Sequence, residues 1–132
     1  MIRRFELKDL MQILEIERDS FPKTSYSVST LMYLSHYYSF LVYEEDKISG
    51  YVVYDPANGH IISIAVRPEN RRKSIGSKLM NEVFKDCKRV WLEVRVSNEG
   101  AQRFYEKLGF KKKGKIERYY GDEDALIMVR EG

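Results

Sequence analysis

Trp91-Leu92-Glu93-Val94-Arg95-Val96-Ser97-Asn98, followed by Phe104-Tyr105-Glu106-Lys107-Leu108-Gly109-Phe110, decides how this chain is read. The first string predicts a buried strand, running from Arg89 to Val96, that carries a carboxylate. The second lies on a helix from Asn98 to Leu108, which Gly109 ends as a left-handed cap. An apolar strand has little reason to hold Glu93 unless the group is solvated at an edge, paired or used. The strand-to-helix return is short enough to make Glu93 and Tyr105 neighbours of one cleft.

Working back from that strand, Ile75, Leu79, Met80, Val83 and Phe84 mark one side of a helix entered through Arg71-Arg72-Lys73-Ser74. Pro68 closes a strand running from His60 to Val66, and Asp55-Pro56-Ala57-Asn58-Gly59 is a turn signal before it. Phe40–Tyr43 and Ile48–Tyr54 predict a hairpin across Glu44-Glu45-Asp46-Lys47. Near the amino terminus, Ile2 to Leu7 predicts a first strand. Asp9 then caps a helix, with Gln12 completing a capping box and Leu10, Ile13, Leu14 and Glu17 at helical spacing. Pro22 ends that helix by Phe21, and Ser27 or Ser29 starts a second one carrying Leu31, Met32 and Leu34. After Gly109, two strands follow, from Phe110 toward Tyr120 and from Ala125 to Arg130. The chain, residues 1–132, is thus expected to be one domain of the α/β (α+β) class, a mixed sheet of about six to seven strands flanked by four helices.

Composition narrows the function. With 43% hydrophobic and 33% charged residues the chain is globular rather than disordered. A net charge of +3 suits a small anionic ligand better than a long polyanion, so no specific nucleic-acid partner is expected. The first residues are charged where a signal peptide needs an apolar stretch, and no apolar run approaches the ~20 residues of a membrane span. Cys87 is the single cysteine, and His36 and His60 lie far apart, so neither a disulfide nor a local metal motif is expected. Asp122-Glu123-Asp124 lacks the spacing of a calcium loop, and no Gly-Lys-Ser/Thr phosphate loop occurs. The expectation is a soluble cytoplasmic protein, a monomer or weak dimer, with no metal and no membrane.

The helix opening at Ser74-Ile75-Gly76-Ser77 offers backbone N–H groups without intrahelical acceptors at the positive end of the helix dipole. Gly76 and Ser77 let an anion come close, and Arg71, Arg72 and Lys73 add mobile positive charge. On such evidence alone, a basic turn before a helix is more often a solvated surface. Likewise Glu93 alone reads as a paired edge residue, Tyr105 as core, and His60 as a strand histidine or a group able to take a proton near neutral pH.

Taken together, Leu92–Asn98 and Tyr105–Phe110 resemble the site of the GNAT acetyltransferase superfamily, and within it the RimI-type branch that acetylates protein amino termini. The family binds the pyrophosphate of acetyl-CoA with a turn patterned Arg/Gln-x-x-Gly-x-Gly/Ala. Arg71 to Gly76 matches it with Ser74 in place of the first glycine. Serine keeps the N–H, so the cradle is expected to hold provided no positive φ is needed there. Gly59 to Pro68 resembles the family's central strand, which implies that the backbone of Ile64, Ala65 and Val66 pairs with the pantetheine arm. Asn98 either caps its helix or binds pantetheine amides. Phe21-Pro22-Lys23-Thr24-Ser25-Tyr26 resembles the loop that holds the acceptor's first residues, and Arg118 to Ala125, with Tyr119 and Tyr120, the final hairpin opposite it.

The resemblance implies an N-acetyltransferase with acetyl-CoA as cosubstrate and a protein or peptide amino terminus as acceptor. Glu93 is then the general base, His60 a second candidate, and Tyr105 the general acid for the departing thiolate. Cys87 is expected to be a small buried residue rather than a nucleophile. Two alternatives stand: a lysine side-chain or small-amine acetyltransferase, and a CoA-binding module without turnover. Binding CoA alone needs neither Glu93 nor Tyr105, which weighs against the second.

Overall fold

The strand Ile48–Asp55 is apolar on both faces and buried along nearly its whole length, so it needs cover on both sides. That cover organises the molecule. The computed structural model describes all 132 residues. Its elements are β1 (Ile2–Arg4), α1 (Leu10–Ser20), α2 (Val28–Tyr37), β2 (Ser39–Glu44), β3 (Ile48–Asp55), β4 (His60–Val66), α3 (Ile75–Asp86), β5 (Val90–Arg95), α4 (Glu99–Lys107), β6 (Lys111–Ile116) and β7 (Ala125–Arg130). The seven strands form one sheet in the order β1-β2-β3-β4-β5-β7-β6. Every pairing is antiparallel except β4 with β5. The expected class, strand number and four helices are all present.

Two apolar clusters lie on opposite faces of the sheet. Ile75, Leu79, Met80 and Val83 of α3 pack with Val90, Leu92 and Val94 of β5 and with Tyr105 and Phe110. On the other face Ile13 and Ile16 of α1 and Leu31 and Leu34 of α2 pack against Val42, Tyr51 and Val53. The outer edge, β6, is exposed throughout and carries Lys111, Lys112, Lys113 and Lys115, which discourages pairing with another sheet.

Two irregularities in β4 shape the site. The β3–β4 register slips between Val53 and Tyr54, matching Ser63 and then Ile61 and leaving Ile62 as an extra residue. This bulge lets both Ile62 and Ser63 face α1 and α2. β4 and β5 share a single registered pair, His60 with Trp91, where the Trp91 N–H donates to the Gly59 carbonyl at 3.0 Å. Beyond that pair the strands are not bonded to each other, and one edge of β4 is open.

The amino terminus departs from expectation. β1 stops at Arg4, and Leu7–Asp9 form a turn of 3₁₀ helix instead of strand or α-helix. The cause is Asp9, whose carboxylate accepts from the Glu6 N–H at 2.8 Å and from both terminal nitrogens of Arg3 at 2.8 and 2.9 Å. Gln12 does not complete a capping box. Its Oε1 accepts the Ile48 N–H at 2.8 Å and so ties α1 to β3. Of the two serines, Ser27 caps α2, accepting from the Thr30 N–H at 3.2 Å. Asn98 caps α4 through the Ala101 N–H at 3.1 Å, and Gly109 ends that segment at φ +95. β6 ends at Ile116, and Arg118 then takes φ +52, so Tyr119 and Tyr120 lie in a turn rather than on a strand.

Candidate active site

The residues expected to bind an anion sit where β4 gives way to α3. The Ile75, Gly76 and Ser77 N–H groups have no acceptor within the protein, as a helix start without a side-chain cap dictates. Ser74, just before them, adopts φ +64, and Arg72 does the same. The proviso attached to Ser74 therefore fails: a left-handed conformation is required at the position where the family has glycine, and serine holds it at a cost of roughly 1 kcal/mol or more. Alternating conformations of this kind turn successive N–H groups toward one point, a concave anion site. Gly76 packs closely under Phe104: a Cβ there would lie 3.1 Å from its Cζ, so the ring would have to shift by a few tenths of an ångström. Arg72 and Lys73 are exposed beside the cradle, while Arg71 folds back, its Nε donating to the Val66 carbonyl at 3.1 Å. The donor set fits a phosphate group: the Ile75, Gly76 and Ser77 amides with Arg72 and Lys73 would hold the pyrophosphate of acetyl-CoA. The open edge of β4 at Ile64, Ala65 and Val66 would take its extended arm.

Glu93 and His60 meet on the opposite face. Leu92 and Val94 turn into the α3 cluster, so alternation along β5 sends Trp91, Glu93 and Arg95 the other way. His60 Nε2 lies 2.7 Å from Glu93 Oε1, and the imidazole stacks on Trp91 with ring centroids 4.1 Å apart. The pair is partly screened rather than sealed, with side-chain exposures of 24% and 12%. Tyr105 is buried among Phe104 and Phe110, at centroid distances of 5.2 and 5.4 Å. Burial first, and then the neighbouring Tyr120, push its hydroxyl well above the usual tyrosine range, so it stays protonated at neutral pH.

Three tyrosines feel the charge of the Glu93 carboxylate. Burial raises Tyr26, with the neighbouring Glu17, Tyr119 and Glu93 adding to the shift. Tyr119 is raised by burial and by Glu93, and Tyr120 is pushed up to about 12 by burial, Tyr119 and Glu93. Tyr120, with Tyr119 against it, lies beside Arg95, which shares a face of β5 with Glu93. The Tyr119 and Tyr120 rings meet edge to face at 4.9 Å, and the Arg95 guanidinium lies 4.2 Å over the Tyr120 ring. Arg95 also pairs with Asp122 and Glu123 at 2.8 and 3.0 Å, anchoring the hairpin turn to β5. Across from it, Phe21 packs on the α1–α2 cluster, whereas Pro22 is exposed on the loop surface. Asn98 commits its Oδ1 to capping α4. Cys87 is buried, as expected.

Three residues escaped the sequence reading. Trp91 supports the His60 ring. Arg67, 5% exposed, donates to the Ile48 carbonyl at 2.6 Å and to Glu15 at 2.9 Å, fixing the approach to the cradle against α1. Glu17, 1% exposed, lies beneath the Phe21–Tyr26 loop. Its one legible signal was a carboxylate at helical spacing with Ile13 and Leu14.

The family profile described as Acetyltransferase (GNAT) family matches residues 8–110. An N-alpha-acetyltransferase of Sulfurisphaera tokodaii is 36% identical, over 97% of this chain and 90% of that protein. Among solved structures, Ard1 from Thermoplasma volcanium superposes with a TM-score of 0.91 at 31% identity, covering 99% of this chain and 96% of that one. The ribosomal-protein-S18-alanine N-acetyltransferase from Escherichia coli does so with a TM-score of 0.84 at 27% identity, covering 99% and 92%. With the cradle, the parted strands and the profile match in agreement, this chain belongs to the acetyltransferase (GNAT) family of enzymes.

Proposed function

We propose that the protein transfers the acetyl group of acetyl-CoA to the α-amino group of a protein or peptide amino terminus. The observation that carries this reading is the Glu93–His60 pair, held at 2.7 Å with the imidazole stacked on Trp91, on the face opposite α3. Glu93, supported by His60, takes the proton from the acceptor ammonium, directly or through one water. The freed amine attacks the thioester carbon, so a C–N bond forms as the C–S bond breaks, with no covalent enzyme intermediate, and the second proton that the nitrogen sheds on becoming an amide passes to solvent. Tyr105, kept neutral by burial, gives its proton to the departing thiolate. Tyr26, Tyr119 and Tyr120 hold the acceptor backbone through hydroxyl hydrogen bonds and ring contact. The names of the similar N-alpha-acetyltransferases support the choice of acceptor.

The test is CoA release from acetyl-CoA with short peptides that differ in their first residue, beside α-blocked, lysine-bearing copies. Turnover is expected with free amino termini only. Turnover on the blocked copies would move the acceptor to a lysine side chain. Tight acetyl-CoA binding with no turnover on any peptide would return the protein to a small-amine enzyme or a non-catalytic CoA binder.

A further inference from the structure

Glu17 is a charged group in an apolar place. It sits on α1 among Ile13, Leu14 and Ile16, is 1% exposed, and belongs to neither the acid–base pair nor the cradle. Burying a carboxylate is costly unless its oxygens are bonded. Here three donors from distant parts of the chain converge on it. Oε1 accepts from the backbone N–H of Tyr26 at 3.0 Å. Oε2 accepts from the Tyr51 hydroxyl and, at 3.3 Å, from the Ser63 hydroxyl, and those two hydroxyls lie 2.9 Å apart. Tyr51, itself fully buried, comes from β3, and Ser63 is presented to the same face by the β4 bulge.

Besides the packing of the Phe21 and Tyr26 rings on the α1–α2 cluster and an exposed Lys23–Asp122 pair at 4.0 Å, the loop from Phe21 to Tyr26 has few ties. Its backbone bonds are Phe21 N–H to Glu17 and Thr24 N–H to Phe21, both local, so the Tyr26–Glu17 bond joins its far end to the body of the molecule. We propose that Glu17 is a positioning residue for the acceptor: its buried carboxylate locks Tyr26 and the acceptor loop to β3 and β4 and thereby sets the width of the acceptor groove. This rests on the reading of that loop as the acceptor wall. The role is one of hydrogen bonding rather than charge. Only Oε1 must be an acceptor, because an amide N–H cannot reverse, whereas Tyr51 and Ser63 are hydroxyls that can accept instead.

The experiment follows from that asymmetry. Glu17→Gln keeps an oxygen toward Tyr26 and turns its NH₂ toward the hydroxyls. The peptide KM should stay within about twofold of wild type. Glu17→Leu removes the bond, and the peptide KM should rise about tenfold or more, with the KM for acetyl-CoA unchanged. Glu17→Asp, a charged side chain too short to reach the loop, should behave like Glu17→Leu and decides the matter if the leucine variant does not fold. Hydrogen exchange of the Tyr26 amide reads the lock without any turnover: protection should persist in Glu17→Gln and vanish in Glu17→Asp. If wild type acetylates no peptide, the exchange result still decides the role of Glu17 while the acceptor assignment fails by itself. Unchanged peptide KM and Tyr26 protection in Glu17→Asp would overturn the proposal, as would an equal rise in both KM values, the mark of a merely structural defect.

Discussion

Ser74 holds a left-handed conformation that a side chain disfavours, φ +64, directly before the free amides of α3. Ser74→Gly should relieve roughly 1–2 kcal/mol of that strain and return part of it as extra freedom of the unfolded chain. The expected net effect is a Tm about 3 °C higher and a lower KM for acetyl-CoA, read by thermal melts and initial rates. Tyr105→Phe removes one hydroxyl from an otherwise apolar ring site. If that hydroxyl protonates the thiolate, kcat should fall by roughly 10²-fold with the KM for acetyl-CoA little changed. Wild-type turnover would take Tyr105 out of the mechanism. At this scale the sequence carried residue types but not conformations. Glu93 in an apolar strand stood out because a carboxylate there demands a reason. The positive φ at Ser74 did not, because serine rarely adopts it and nothing local announces it. The partner of His60 was hidden as well, since 33 residues separate it from Glu93.

Elements were legible where a local cause makes them. The β2–β3 hairpin, the α3 stripe and the end of α1 before Pro22 all arise from periodicity or punctuation within a few residues. The first strand was read too long because its end is set by Arg3 and Asp9, six residues apart, and Gln12 was misread because its partner is Ile48 on another strand. Gly59 is an element-scale position that sequence marks only as a turn. It has φ +76, and a Cβ there would fall 1.9 Å from the Arg89 carbonyl oxygen, beside the one place where β4 and β5 pair. Gly59→Ala should therefore force the two strands apart at their shared start and cost about 3 kcal/mol, roughly 10 °C in Tm. Gly121→Ala is the control. Gly121 also has positive φ, +85, but nothing lies within 4 Å of its missing Cβ, so that change should cost only about 1 kcal/mol.

For the whole molecule, the sheet separates two tasks. On the proposed function the α3 face would carry the cradle and the thiolate side, and the α1–α2 face the acceptor wall, each over its own apolar cluster. The second face is held by two buried carboxylates whose pKa values move in opposite directions, and global stability should record both. Burial alone would raise Asp9, but the Arg3 guanidinium and the Glu6 N–H more than offset it, leaving its carboxyl below the usual range. A depressed folded pKa means that its contribution is complete above the unfolded value near ~3.9 and is lost as pH falls below it. Glu17 is raised, by burial above all, with the Tyr26 and Ser63 bonds opposing. Its carboxylate therefore costs stability at neutral pH, and that cost disappears on protonation as pH falls toward the unfolded value of ~4.3. Chemical denaturation from pH 7 down to pH 3 separates the two. Asp9→Asn should be less stable than wild type by roughly 2 kcal/mol at pH 7, with the gap narrowing below about pH 4. Glu17→Gln should be as stable as wild type or more so at pH 7, its advantage shrinking earlier, as pH falls toward about 4.3. Two gaps of the same sign would mean that one of the carboxylates is held by the fold in a way opposite to its contacts.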